Sequence, residues 1–143
     1  MEISHLIAGR SGAEIIACNT DTLVRDAVAL LASRRIGAVP VMEGGHVVGI
    51  YSERDVVYRL AEEGSACLDR QVAEVMTAPP ITVTPQTKVI EALALMTRRR
   101  IRHLPVLDGE VLCGFISIGD LVKSRIDEVE HEAAVMRDYI SMA

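Results

Sequence analysis

Tryptophan is absent from this chain, phenylalanine occurs once and tyrosine three times. An interior without bulky rings has to be filled by Val, Ile, Leu, Ala and Met. Half of the 143 residues are apolar, enough for one domain of ordinary size. Cysteine is scarce: Cys18, Cys67 and Cys113 are an odd number with no close pair, which argues against a disulfide framework or a cysteine metal site. Basic residues are outnumbered, 15 Lys and Arg against 20 Asp and Glu for a net charge of −5. Such a chain is not electrostatically built for nucleic acid. No apolar run nears the roughly 20 residues that span a bilayer. The start, MEISHLIAGR, lacks the basic region and long apolar stretch of a signal peptide. A cytoplasmic location with no membrane partner is therefore the expectation. No nucleophile motif, metal-spaced His pair, GxGxxG or phosphate loop is found either, which leaves an enzyme without support.

What the chain does have is a duplication. The text of residues 36–55, IGAVPVMEGGHVVGIYSERD, returns 65 positions later as IRHLPVLDGEVLCGFISIGD, residues 101–120. Residues 16–57 align with 81–122 without a gap, and 16 of the 42 pairs are identical. They include Ile36/Ile101, Pro40/Pro105, Val41/Val106, Gly44/Gly109, Gly49/Gly114, Ser52/Ser117 and Asp55/Asp120. Two copies are too few for a solenoid. They suggest a pseudo-twofold pair with two related sites. Cys18 and Cys113 match Val83 and Val48 of the sister copy, so both read as small buried hydrophobes.

Each copy reads as strand, helix, hairpin, helix. Short strands are expected at 15–18 and 81–83. Asn19 to Asp21 supply N-cap residues for a helix whose stripe is Val24, Ala27, Val28 and Leu31. Val89, Ala92, Leu93 and Met96 hold the same places in the second copy, with Pro85 in the first turn. Both helices end in basic clusters, Arg34–Arg35 and Arg98–Arg100, which suit the negative end of a helix dipole. Hairpins follow, with strands 39–42 and 47–51 around Glu43-Gly44-Gly45, then 104–107 and 111–116 around Asp108-Gly109. A helix from Asp55 to about Glu63 is stopped by Gly64. Residues 2–8 form a further short helix, broken by Gly9 and Gly12, whose counterpart is 72–76. The expected fold class is α/β, small sheets covered by helices. Its boundaries are 1–66 for the first repeat, 67–125 for the second and 126–143 for a helical extension. Towards the extension Val122, Ile126, Val129, Ala133, Met136 and Ile140 step by 4, 3, 4, 3, 4, a short heptad-like seam. It either packs on its own module or joins copies of the chain.

Chemistry has two candidate places. Ser52 and Ser117 stand at strand-to-helix junctions with Asp55 and Asp120 three residues on. Each pair forms a helix cap. A carboxylate fixed there can also accept both hydroxyls of a ribose, next to a helix N-terminus that favours anions. The second place is Arg102-His103, where the first copy has Gly37-Ala38. With Arg98–Arg100 it makes a basic cluster in an acidic chain. It reads either as an exposed strand edge or as a phosphate site, since guanidinium matches phosphate with a fork of donors.

The repeated unit, with its hydrophobic–x–hydrophobic–Pro–Val hairpin and its Gly-h-x-Ser-x-x-Asp end, resembles the cystathionine-β-synthase (CBS) domain. The pair resembles the tandem arrangement called a Bateman module, in its small stand-alone bacterial form. The resemblance covers residue 3 to about 125. It implies a regulatory module that binds adenine nucleotides, AMP, ADP or ATP, or else NAD(H) or S-adenosylmethionine. No cofactor is required, and the nucleotide is the regulatory ligand. It also implies a homodimer. Ligands would lie in clefts between the repeats. One site would use Ile16, Ile36, Gly37, Ser117 and Asp120. The other would use Thr77, Ile81, Ile101, Ser52 and Asp55. Arg54, Arg102 and His103 resemble phosphate contacts. Ile118 and Gly119 replace Glu53 and Arg54 in the second copy, so unequal sites are expected. The alternative is an oligomerisation module with no functional ligand.

Overall fold

In chain order the elements are α1 (Ile3–Ala8), β1 (Cys18–Asn19), α2 (Val24–Arg34), β2 (Ala38–Glu43), β3 (His46–Ser52), α3 (Glu53–Glu63), a 3₁₀ helix (Gly64–Asp69), α4 (Val72–Val75), α5 (Val89–Arg99), β4 (His103–Asp108), β5 (Val111–Ser117) and α6 (Ile118–Met142). The computed structural model describes residues 1–8 and 15–142. The α/β class and the repeated order hold. Gly9 and Gly12, expected to break α1, lie outside the described residues. No helix among the described residues is long and apolar enough to cross a membrane.

The chain forms two compact units. The first gathers the described residues within Glu14–Thr82, with Gly109–Leu112. In it β1 runs parallel to β2 (Cys18 opposite Val41), and β2 pairs antiparallel with β3 (Val39 opposite Tyr51, Val41 opposite Gly49). The α2 stripe closes on this sheet, burying Val24, Ala27 and Leu31 with Cys18, Val39, Val41, Tyr51, Val72 and Val75. Each large aliphatic side chain buried this way contributes about 1.5–3 kcal/mol before entropy is counted.

The second unit gathers the described residues within Met1–Ala13, Val83–Asp108 and Cys113–Ala143. Here β4 and β5 form a two-stranded sheet, and Val83 bridges to Val106 in parallel, in the place that β1 holds in the first unit. Strands were expected over 15–18 and 81–83. Within those stretches and their flanks, strand pairing is limited to Cys18–Asn19 and to Val83.

The short helices change places relative to the linear repeats. α4 joins the first unit, where Val72 N–H donates to Thr22 O (2.8 Å) and Ala73 N–H to Thr20 O (3.1 Å). α1 joins the second, where Ile3 N–H donates to Thr87 O (2.8 Å) and Ser4 N–H to Pro85 O (2.8 Å). This arrangement overturns the expected caps. α2 starts at Val24 behind Leu23, with no side-chain cap, because Val24 N–H finds Arg70 O at 2.9 Å. α5 starts at Val89 behind Lys88, its first N–H bound to Met1 O at 2.9 Å. A carbonyl from another segment satisfies the donor that a side chain was expected to satisfy. Asn19 instead donates its N–H to Thr22 Oγ1 (3.0 Å), and Pro85 stands ahead of α5.

α2 and α5 both end without glycine. Arg35 and Arg100 adopt left-handed backbone, φ 53° and 55°. This turns the chain back so that Ile36 N–H reaches Leu31 O and Ile101 N–H reaches Met96 O. Cys18 and Cys67 are buried, Cys113 is half-buried, and all three are free thiols. Burial pushes the Cys18 thiol up to about 11.

Candidate ligand site

β3 ends at Ser52, whose extended backbone (φ −125°, ψ 164°) makes it the N-cap of α3. Its Oγ accepts the N–H of Asp55 at 3.3 Å. Asp55 Oδ2 in return accepts the N–H of Ser52 (3.0 Å) and its hydroxyl (3.1 Å). The other oxygen, Oδ1, accepts the hydroxyl of Thr77 at 3.0 Å. Thr77 is itself locked to β3, exchanging both backbone bonds with Ile50 at 2.9 and 3.0 Å. A carboxylate offers about four acceptor positions. Three are used here, so Asp55 is oriented and keeps one position on Oδ1, beside the Thr77 hydroxyl.

The strand beneath is shaped to admit that segment. A Cβ at Gly49 would stand 2.5 Å from Met76 Sδ and 3.0 Å from Thr77 O. Next to it, Tyr51 is buried and its hydroxyl has no hydrogen-bond partner. Desolvation and then the charge of Asp55 push its phenol up to about 12.

In the second unit Ser117 N–H donates to Asp120 Oδ2 (2.9 Å) and Asp120 N–H to Ser117 Oγ (3.2 Å). The expected caps are thus present twice. A further bond is also repeated: Glu53 N–H donates to Gly37 O (2.9 Å) and Ile118 N–H to Arg102 O (2.8 Å). Two first-turn donors of each helix are therefore engaged inside the protein. The helix ends offer an anion fewer backbone donors than the sequence suggests, and their dipole remains.

Among the sequence-predicted residues, hydrogen bonds join Ser52, Asp55 and Thr77 in the first unit, and Ser117 with Asp120 in the second. Ile16 and Ile36 are half-buried and pack on the first unit's core. Gly37 and Ile81 are half-buried in the same unit, and Arg54 is exposed on the first turn of α3. Ile101 is half-buried and Arg102 exposed in the second unit. His103 stacks on Phe115, ring centroids 5.7 Å apart and planes 13° apart. That stack accounts for part of the Arg102-His103 step. The first repeat has Ala38 and Ile50 at those places, so both differences belong to one contact. No group of three or more His, Cys, Asp or Glu among the described residues is placed to hold a metal ion.

The family model described as CBS domain matches residues 12–62 and 72–127. A curated relative, the CBS domain-containing protein CBSX3, mitochondrial, of Arabidopsis thaliana, is 38% identical over 128 residues. That match covers 86% of this chain, and the chain spans only 62% of that relative. The solved structure of a protein with CBS domains from Burkholderia ambifaria MC40-6 superposes with a TM-score of 0.83 at 40% identity, covering 89% of this chain and 95% of that one. The CBS domain pair of protein MJ0100, solved in complex with 5′-methylthioadenosine and S-adenosyl-L-methionine, has the same fold. Its TM-score is 0.77 at 19% identity, covering 90% of this chain and 98% of that one.

Proposed function

This chain belongs to the CBS-domain family, and on that premise we propose that it is a non-catalytic regulatory module binding an adenosine-containing ligand. AMP, ADP and ATP are the leading ligands, with NAD(H) and S-adenosylmethionine as further members of the class. The reading includes a cytoplasmic homodimer. The observation that carries it is the oriented Asp55 carboxylate, held by Ser52 and Thr77 with one acceptor position left on Oδ1. An acceptor fixed in that way suits the vicinal hydroxyls of a ribose. Support comes also from MJ0100, a protein of the same fold, whose structure contains two adenosine compounds.

Asp55 and Asp120 take the ribose-binding role, each with its own Ser, and Thr77, Ile81, Ile101, Ile16, Ile36 and Gly37 supply the remaining contacts. Arg54, Arg102 and His103 take the phosphates. The two sites are unequal, because Ile118-Gly119 stands where the first repeat has Glu53-Arg54 and Arg102-His103 where it has Gly37-Ala38. Regulation works by population shift, the ligand favouring the conformation it binds more tightly.

Thermal melting with a panel of AMP, ADP, ATP, NAD, NADH, S-adenosylmethionine and GMP tests this on protein verified free of co-purified nucleotide. A ligand specific to the folded state adds about 2.7 kcal/mol at one hundred times its dissociation constant. Calorimetry on Asp55→Ala and Asp120→Ala then assigns the sites, each variant losing affinity at one of them. A flat panel, or unchanged affinity in both variants, overturns the reading. It would favour the second one, an oligomerisation module with no functional ligand, for which the exposed apolar side chains of α6 speak.

A further inference from the structure

We propose that α6 pairs with α6 of a second copy as a parallel, in-register coiled coil. The proposal rests on the homodimer reading above and adds the surface and the direction.

α6 has two distinct faces. Leu121 and Ser124 are buried in the helix's own unit, and Glu128 continues that face. Ser124 Oγ lies 3.1 Å from Met1 Sδ, and the Glu128 carboxylate lies 3.8 Å from the Met1 amine. The other face is the stepped seam of Val122, Ile126, Val129, Ala133, Met136 and Ile140. Its five large side chains are between 42% and 66% exposed. In heptad terms Ile126, Ala133 and Ile140 are a positions, and Val122, Val129 and Met136 are d positions. Leu121, Ser124 and Glu128 fall at c and f, turned away from the seam. The helix can therefore keep its own packing and still offer a continuous a/d stripe about 27 Å long.

Charge identifies the occupant and its direction. The flanking e positions are Lys123, Glu130 and Arg137, and the g positions are Arg125, Glu132 and Tyr139. In a parallel pair each g residue meets the e residue of the next heptad on the other helix. Arg125 then meets the partner's Glu130, and Glu132 meets the partner's Arg137. Symmetry repeats both, for four attractive pairs. An antiparallel pair covering the whole seam sets Val122 against the partner's Ile140, and e faces e while g faces g. Lys123 then meets the partner's Arg137, Glu130 meets the partner's Glu130, and Glu132 meets the partner's Glu132. Every charged pair in that arrangement is repulsive. A second copy of this helix, running parallel, satisfies both the stripe and its flanks.

The test is sedimentation equilibrium of the full chain. Arg137→Glu sets two like-charged pairs into the parallel seam and weakens the dimer about tenfold. Adding Glu132→Arg restores it. In the antiparallel arrangement Arg137→Glu would meet the partner's Lys123 and tighten the dimer instead. A Met136→Cys chain gives the second measurement. Parallel packing sets position 136 against itself, and mild oxidation then yields a disulfide-linked dimer that the wild-type chain does not form. Arg137 and Met136 are exposed, so these changes leave the core untouched, which circular dichroism checks. A wild-type chain monomeric at all concentrations overturns both this proposal and the homodimer reading. A dimer that Arg137→Glu leaves unchanged or tightens, or that Met136→Cys does not cross-link, overturns the parallel seam alone.

Discussion

Gly49→Ala perturbs the point where the candidate site is held together. The added Cβ would stand 2.5 Å from Met76 Sδ and 3.0 Å from Thr77 O. The thioether is the end of a flexible side chain and can swing away. The Thr77 carbonyl cannot, since it is backbone and accepts the Ile50 N–H at 3.0 Å. Overpacking of this kind costs about 1–3 kcal/mol. Reduced freedom of the unfolded chain returns about 0.4–1 kcal/mol. The expected net loss is about 1–2 kcal/mol, or a fall in Tm of about 3–8 °C for a chain of this length. Urea unfolding followed by circular dichroism measures it, with an unchanged slope showing that the transition itself is the same. Gly119→Ala is the reference. A Cβ there meets only Ser117 Oγ, at 3.6 Å, in the first turn of α6, and the change stabilises by about 0.5–1 kcal/mol. A Gly49→Ala chain as stable as wild type would refute the reasoning. It would mean that the strand and the Met76–Thr77 segment are not in the close contact described.

Three further outcomes follow from single groups. Tyr51→Phe removes a buried hydroxyl that has no partner, so stability in denaturant is unchanged or rises by up to about 1 kcal/mol; a loss above that would show that the hydroxyl is bonded. Tyr51 also makes the fold sensitive to alkali. Its folded value of about 12 lies above the ordinary 10.0, so its contribution is full below pH 10 and is lost as pH climbs towards 12. This amounts to about 2 kcal/mol, and Tyr51→Phe flattens that part of the curve relative to wild type. Thr77→Val deletes the bond to Asp55 Oδ1 at the cost of under about 1 kcal/mol of stability. Calorimetry should show adenosine-ligand affinity changed at one site, and unchanged affinity at both would separate Thr77 from the proposed function.

The parts read correctly from the sequence share a physical character. The α2 and α5 stripes, the hairpins around Gly44 and Gly109, and the Ser52–Asp55 and Ser117–Asp120 caps all depend on residues a few positions apart. Local spacing decides them. The parts misread depend on a distant partner. Asn19 to Asp21 have the side chains of a cap, yet α2 is capped by Arg70 O, because a carbonyl brought by the fold satisfies the same donor. Gly49 and Gly114 matched between repeats, a visible signal whose cause was not: each lies where a neighbouring segment, Met76–Thr77 or Ile7, comes too close for a Cβ. The stack of His103 on Phe115, twelve residues away on another strand, was equally hidden from local spacing.

By itself, then, the sequence determined the duplication, the strand–helix–hairpin–helix order, the family and the two Ser–Asp pairs, because periodicity and short-range hydrogen bonding are written in adjacent residues. Only the tertiary structure decided that α4 packs with the first repeat and α1 with the second. It alone set Thr77 on the Asp55 carboxylate, 22 residues away, left the hydroxyl of Tyr51 unpartnered, and turned Leu121 and Ser124 inward while Val122, Ile126, Val129, Met136 and Ile140 face out. Those outcomes depend on which surfaces meet, and burial and close packing choose among alternatives that local pattern leaves equal.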